Sequence, residues 1–509
     1  MKKKENSFIQ KLLNIINGKK DSEEVKRLKE IKKKKYPMAD LLTASKPDKV
    51  GKMLRTNIQV VAVADTTFIA PSAILLEKFK TSGDKDTLVG GESREWELHE
   101  ENAQDILHLI DNNFKEDAIT ENIKKLAKIP AKERCIKIKQ CAKTTVFKSY
   151  VTDMFETNQA DAQPMEYVAY SLGNKLESGK KYQVTYKLVP HPYAGQKLVM
   201  IITDVSKADD SVSNFKLIDD RKEELRTIKD LPGSVEERVN LLTEKVKGIL
   251  GYNGNNLLIQ TLDLAYNTVL QFDFGSFKNV RGYLDTIIVG ESRVGKSSTA
   301  EALRNTYGLG AFASLAGNSA TIPGLIGGSN KTSSGFQTRA GIIPQNHRGL
   351  IIFEEFGKSN ANVIKELTDV RSSNEVRITR VSGTIALPAL VRMISLTNVK
   401  NDSGVIKSIA SYPNGLSIIT ELVDTAEDIA RYDLILILSD RGNSQIDPFW
   451  EPQEPLPPEV YQTRIRWIWS RTPEQIIIDK EVGLYIIEKS NELNNKYGCH
   501  IKIFGTETW

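Results

Sequence analysis

Cysteine occurs three times in 509 residues, at Cys135, Cys141 and Cys499, with no CxxC pair. Neither a disulfide framework nor a four-thiolate zinc site can be built from that set, and a reducing cytoplasm fits. Long apolar runs are also missing: stretches such as Leu434–Leu438 fall far short of the roughly 18 residues a membrane span needs. The opening MKKKENSFIQKLLNIINGKK has a basic end and a short apolar stretch, but Glu5, Asn6 and Gln10 interrupt it. No small-residue cleavage site follows, so no export signal is read there. A one-sided charge is absent from the chain as a whole, which carries +5.

What is present fits a globular protein with sizeable cores: 40% apolar, 27% charged and 7% aromatic residues exclude a disordered chain. The length exceeds the roughly 250–300 residues at which one core stops growing, so two or three domains are expected. Residues 1–35 hold 13 Lys/Arg against 5 Asp/Glu, which leaves the remaining chain at −3. This basic start, taken as a leader over residues 1–40, could hold phosphate as a nucleic-acid arm or on an anionic membrane surface. Phe8, Leu12 and Ile15 or Ile16 fall at helical spacing, and a solvated leader with a helix packed on its own domain is an equal reading.

Residues 41–205 read as an α+β amino-terminal region. Helices are expected over 40–43 and 102–126, and a polar loop with Gly90-Gly91 over 81–92. From about 130 to 205 the period changes to two: Ile136 and Ile138 alternate with lysines, Tyr182, Val184, Tyr186 and Leu188 with polar residues, and an apolar strand fills 197–204. Short strands with basic residues on one face suggest a small barrel, of which the OB-fold is a nucleic-acid-binding type; lysines that merely solvate a barrel would look the same. A polar linker over 206–235 precedes a helix expected across 236–270.

The chemistry is concentrated farther on. Gly290-Glu291-Ser292-Arg293-Val294-Gly295-Lys296-Ser297 is a full GxxxxGK[ST] pattern between an apolar strand at 286–289 and a helix at 298–307. Glycines turn backbone N–H groups around a β-phosphate, and the helix N-terminus, with Ser298 in its first turn, adds partial positive charge. Lys296 reaches the β/γ-phosphates and Ser297 can ligate Mg²⁺. ATP with Mg²⁺ is the expected ligand. A buried strand at 350–353 then ends in Glu354 and Glu355, which point different ways; one suits the Mg²⁺ shell and the other, Glu355, the activation of water. A further strand ends at Asn398, and Arg431 precedes another at 433–439. Taken alone, a strand-end Asn or Arg is usually structural.

Phosphate loop, acidic strand, asparagine strand and arginine, in this order, resemble an AAA+ ATPase core, and the intervening residues resemble the minichromosome maintenance (MCM) replicative helicases from about Leu231 to Gly442. Arg281-Gly282 is similar to that family's lead-in, and Gly317 to Leu325 to the segment that opens its helix-2 insert. His347 to Lys358 is similar to its Walker B region, Val376 to Asn398 to its presensor hairpin and sensor-1 strand, and Ala430-Arg431-Tyr432-Asp433-Leu434 to its arginine-finger motif.

The resemblance implies a parallel α/β P-loop core over 236–445 with helices on both faces, Asn398 as sensor 1, Arg431 acting on a neighbour's ATP, Glu354 on Mg²⁺ and Arg380 as a pore contact to DNA. An exposed turn residue is the other reading of Arg380. It implies a hexameric homo-oligomeric ring that works on single-stranded or forked DNA in replication, of prokaryotic or mobile-element type. The alternatives are an AAA+ remodeller of protein and a low-turnover replication assembly or loading factor. The sequence departs from the family in lacking Pro-Gly and Ala in its loop, in placing Glu354 where Asp is usual, and in lacking zinc-binding cysteines. A partial lid without a sensor-2 arginine is expected over 446–509.

Overall fold

The computed structural model describes residues 53–82, 85–97, 136–153, 166–190, 198–208, 212, 215–316, 321–332, 335–359, 361–380, 383–399, 401–402, 405–423, 425–439 and 449–497. The basic leader and the helices expected at 40–43 and 102–126 lie outside these residues. The chain divides into two compact units, each taken by itself. Among the described residues no helix is long and apolar enough to cross a membrane.

The first unit is built from strands β1 (Met53–Ser82), β2 (Lys85–Glu97), β3 (Ile136–Asp153), β4 (Tyr167–Leu172), β5 (Lys181–Pro190) and β6 (Leu198–Lys207). Five of them close a circuit: β1 pairs with β3, β3 with β4, β4 with β6, β6 with β5, and β5 returns to β1. Only β4 and β6 run parallel. The period-two pattern becomes a barrel-like interior, in which Leu54, Ile58 and Val60 meet Val151, Ala169, Val184, Tyr186, Leu188, Met200 and Ile202. The sheet thus begins well before residue 130, and the loop expected over 81–92 is corrected. β1 continues to Ser82 and turns into β2, with Phe79 opposite Leu88 and Ser82 opposite Lys85. Glycine and polar residues favour loops locally, but ladder hydrogen bonds to an adjacent strand satisfy the same backbone and prevail.

In the second unit the expected linker contains a helix, α1 (Asp219–Lys229). It is mostly charged, its half-buried residues Arg221, Glu224, Leu225 and Ile228 share one face, and it gains a tertiary anchor where Thr463 Oγ1 donates to Glu224 at 2.8 Å. The helix expected across 236–270 is two. α2 (Val235–Leu250) starts at a capping box in which Ser234 and Glu237 exchange hydrogen bonds. It stops at Gly251, whose φ of 73° ends the helix in the left-handed region. α3 (Asn256–Tyr266) restarts under the Asn255 cap. A short hairpin follows, β7 (Gln271–Phe274) and β8 (Phe277–Arg281).

The central sheet holds β9 (Thr286–Gly290), β10 (Ala311–Ser314), β13 (Leu350–Glu354), β16 (Arg392–Thr397) and β19 (Leu434–Leu438), in the order β10-β13-β16-β9-β19, all parallel. Between them come α4 (Lys296–Tyr307), α5 (Ile322–Leu325), paired strands β11 (Gly327–Thr332) and β12 (Gly335–Ala340), α6 (Ile342–Gln345), α7 (Ala361–Ser373) and the hairpin β14 (Glu375–Arg380) with β15 (Gly383–Pro388). Strands β17 (Asn401–Asp402) and β18 (Val405–Ile406), then α8 (Gly415–Leu422) and α9 (Ala426–Ile429), precede β19. α10 (Pro458–Trp469) and α11 (Lys480–Tyr497) are the last described helices.

Because strand side chains alternate, the sheet has two apolar faces. Ile287, Val289, Ile351 and Phe353 pack with Val363 and Leu367 of α7 and Ile418 of α8. Ile288, Ile352, Ile394 and Leu438 pack with Leu258 of α3, Leu303 of α4 and Tyr461 of α10.

Candidate active site

β9 is buried along its whole length and ends at Gly290, where a Cβ would lie 3.0 Å from Val294 and 3.2 Å from the Leu438 carbonyl. The chain then turns sharply, with positive φ at Arg293 and at Gly295. Gly295 opens α4 without a side-chain cap, so first-turn amide N–H groups of Lys296, Ser297 and Ser298 form the positive end of a twelve-residue helix. Ser292, Arg293, Ser297 and Ser298 are exposed, and Ser298 Oγ donates to the Gly295 carbonyl at 3.1 Å. This geometry suits an anion, and a side chain at Gly290 would press on Val294 and Leu438.

Lys296 lies across the loop. Its ammonium donates to the carbonyls of Gly290 and Glu291, both at 2.8 Å, and to Asn398 Oδ1 at 2.9 Å. Burial holds its pKa down to about 8, against the pull of the Glu291 carboxylate. Glu291 itself is buried, and its Oε1 accepts from Ser408 Oγ at 2.7 Å and from the Ile409 amide at 2.9 Å. Its own amide bonds the Leu438 carbonyl at 3.3 Å. Sequence reasoning placed Glu291 among ATP contacts; in the structure its carboxylate braces the loop against the segment after β18.

The two carboxylates end β13. Glu354 continues the strand, with its carbonyl accepting from Leu315 at 2.9 Å. Glu355 sits at φ 55°, a left-handed corner, and ion-pairs with Lys358 at 2.5 Å. Asn398 follows β16, the strand between β13 and β9. The Thr397 hydroxyl accepts from the Gly357 amide and donates to the Asn398 carbonyl, both at 2.9 Å, which ties the acidic corner to the asparagine. Three neighbouring parallel strands thus deliver Lys296, Asn398 and the glutamates to one edge of the sheet. A cation on phosphate fits the oxygen donors of Ser297 and Glu354 in kind.

Arg431 is not brought there. It lies between α9 and β19, at the end of the sheet where β9 begins, since Leu434 pairs with Thr286 and Leu438 with Gly290. The length of β19, five residues or roughly 15 Å, separates its level from the phosphate loop. Its Nε has no hydrogen-bond partner among the described residues. Arg380 is also remote in sequence position from the loop: it ends β14 opposite Gly383, beside the tip of the β14–β15 hairpin.

Sequence reasoning missed one neighbour of the site and one pair at the opposite end of the sheet. Tyr252 stands in the turn between α2 and α3, and its hydroxyl shares a 2.5 Å hydrogen bond with Thr299 Oγ1 on the first turn of α4. Gly251 and Gly254, flanking it, were the turn signal. Arg281 pairs with Asp433 across 152 residues, and that contact has no local signature.

Residues 261–449 match the family model described as the MCM P-loop domain. No curated protein matches the chain.

Proposed function

Because residues 261–449 match the MCM P-loop domain model, we propose an ATP-driven DNA translocase that works as a helicase in replication, assembled from several copies of itself. The observation that carries this reading is the opposition of the two sheet ends. Lys296, Asn398, Glu354 and Glu355 gather at one end, while Arg431 lies half-buried at the other, its covered Nε making no hydrogen bond among the described residues. An arginine so placed cannot serve its own phosphate loop and fits the γ-phosphate of a neighbouring copy, where it would stabilise the charge of phosphoryl transfer.

The loop amides and Lys296 bind and orient the triphosphate. Mg²⁺, held by Ser297 and Glu354, would supply neutralisation of phosphate charge. Glu355 takes the proton of the attacking water, and Asn398 aligns that water with the γ-phosphate. Lys358, paired to Glu355, holds that carboxylate ready. The loop contacts from Gly290 to Ser298 divide between backbone donors and Lys296.

The first unit, taken as the amino-terminal DNA-binding region over 41–205 with a linker to a core over 236–445 and a partial lid over 446–509, supplies a second contact to single strands. Its five-stranded closure and the single parallel pair, β4 with β6, support an OB-like module. Arg380, next to a hairpin tip, suits a phosphate contact in a pore that grips the backbone without reading sequence. A hexameric ring is the assembly this reading requires, and a cytoplasmic site of action is consistent with its ligands.

ATP turnover by the full chain, with and without single-stranded DNA and beside Lys296→Ala, tests the proposal. Turnover that rises with DNA and vanishes in the variant is expected. Turnover indifferent to DNA would overturn the motor reading in favour of a protein remodeller.

A further inference from the structure

We infer that Arg281 is a positioning residue for Arg431: through Asp433 it clamps the segment that carries this arginine onto the base of β9. The inference rests on the reading that Arg431 serves a neighbouring copy.

Arg431 has no rigid element of its own. It follows the single turn of α9, capped by Thr425, and precedes β19 by two residues. What fixes it are its successors. The Tyr432 ring is buried edge-on against Phe356, with the Arg371 guanidinium 4.4 Å from its centre. Asp433 receives Arg281 Nη2 on both carboxylate oxygens, at 2.6 and 2.5 Å, and the Asp285 amide at 2.8 Å. The Asp433 and Leu434 amides in turn donate to the Asp285 carbonyl at 2.9 and 3.2 Å. Arg281 also reaches Asp285 Oδ2 at 3.3 Å and lies over the Tyr283 ring, so its guanidinium plane is fixed from three sides. A planar fork can do this and a lysine cannot.

The contacts of Asp433 lie at the start of β9, one strand length from the phosphate loop. Loss of Arg281 should therefore leave the chain's own nucleotide site intact while loosening the arginine it offers to the next copy. A displacement near 1 Å at a transition-state contact is enough to cost about 100-fold in rate.

The test uses full-length Arg281→Gln. It should bind a fluorescent ATP analogue as the native chain does, yet turn ATP over at least about tenfold more slowly. Mixing it with Lys296→Ala, inactive alone but carrying an intact Arg431, should restore turnover, as the same mixing restores Arg431→Ala. A fold defect would not be complemented in this way. Restoration of Arg431→Ala but not of Arg281→Gln overturns the inference, as does native turnover by Arg281→Gln alone. Failure to restore Arg431→Ala overturns the underlying reading of action between copies, and this inference with it. Should Arg281→Gln lose nucleotide binding, Asp433→Asn removes the pair from its other side. Loss of binding there too would assign the pair to the fold alone and overturn the inference.

Discussion

The Lys296 ammonium donates to Asn398 Oδ1 at 2.9 Å, joining two residues 102 positions apart at the edge where β9 and β16 lie side by side. The lysine that should meet the phosphates and the amide that should align water are therefore already one unit. Asn398→Ala is expected to bind ATP about as well as the native chain and to lose turnover by one to two orders of magnitude, since it removes a contact made in the transition state. Binding and single-turnover measurements on the same preparation separate the two effects.

The depressed pKa of Lys296 makes nucleotide binding pH-dependent in a stated direction. At pH 7 its ammonium is charged with or without ATP, so binding takes up no proton at this site. Above about 8 the free chain is mostly neutral there, whereas bound phosphates favour the charged form. Affinity should fall as pH rises past 8, by up to about tenfold per pH unit, with proton uptake. Calorimetry at pH 9 in two buffers of different ionisation heat reads this directly; Lys296→Arg, which does not titrate there, should show none.

Glu291 contributes to the same balance from behind. Glu291→Gln keeps the shape but removes the carboxylate charge that holds the lysine pKa up, so the affinity loss with pH should begin below 8. Glu291→Ala also removes the acceptor of the Ser408 hydroxyl and the Ile409 amide, at a cost of about 1 kcal/mol in urea unfolding.

Glu355→Gln should keep ATP binding and lose hydrolysis by about 10²–10⁴-fold, the range for a general base. Robust hydrolysis by this variant would transfer the role of base to Glu354.

Arg392 is fully buried, and among the described residues it has no carboxylate partner. Its guanidinium donates to the carbonyls of Thr268, Arg348 and Gly349 and lies 4.4 Å from the centre of Trp469. It fastens the start of β16 to the end of α3 and to the turn before β13. Arg392→Met should destabilise the core by about 1–3 kcal/mol, by leaving the Thr268 and Arg348 carbonyls without this donor. A shift in urea midpoint without change in slope is the expected signature.

Much of the site was legible because it is local: eight consecutive residues specify the phosphate loop, and apolar runs ending in Glu354-Glu355 and Asn398 mark strand ends. The barrel-like sheet was legible where Tyr182, Val184 and Tyr186 alternate, but not in β1, where Val60-Val61-Ala62 blurs the period and pairing with β3 and β5 decides the structure. The brace from Glu291 to Ser408 and the clamp from Arg281 to Asp433 span more than 100 residues each, and side chains that meet only after folding leave no periodic trace. Tyr252 was hidden by reading one helix through Gly251, although a positive-φ glycine is what separates the two.

In the proposed assembly the five parallel strands would give each copy a direction, with the phosphate loop at one end and an arginine at the other. Copies stacked so that Arg431 of one meets the loop of the next leave an unused arginine at the first position and an unused loop at the last. Such a row has no natural length, and it stops growing only when the turn between successive copies returns the last to the first. The number of subunits is then written in that angle rather than in any catalytic residue. A substitution far from the chemistry that alters the angle would convert a closed assembly into an open filament.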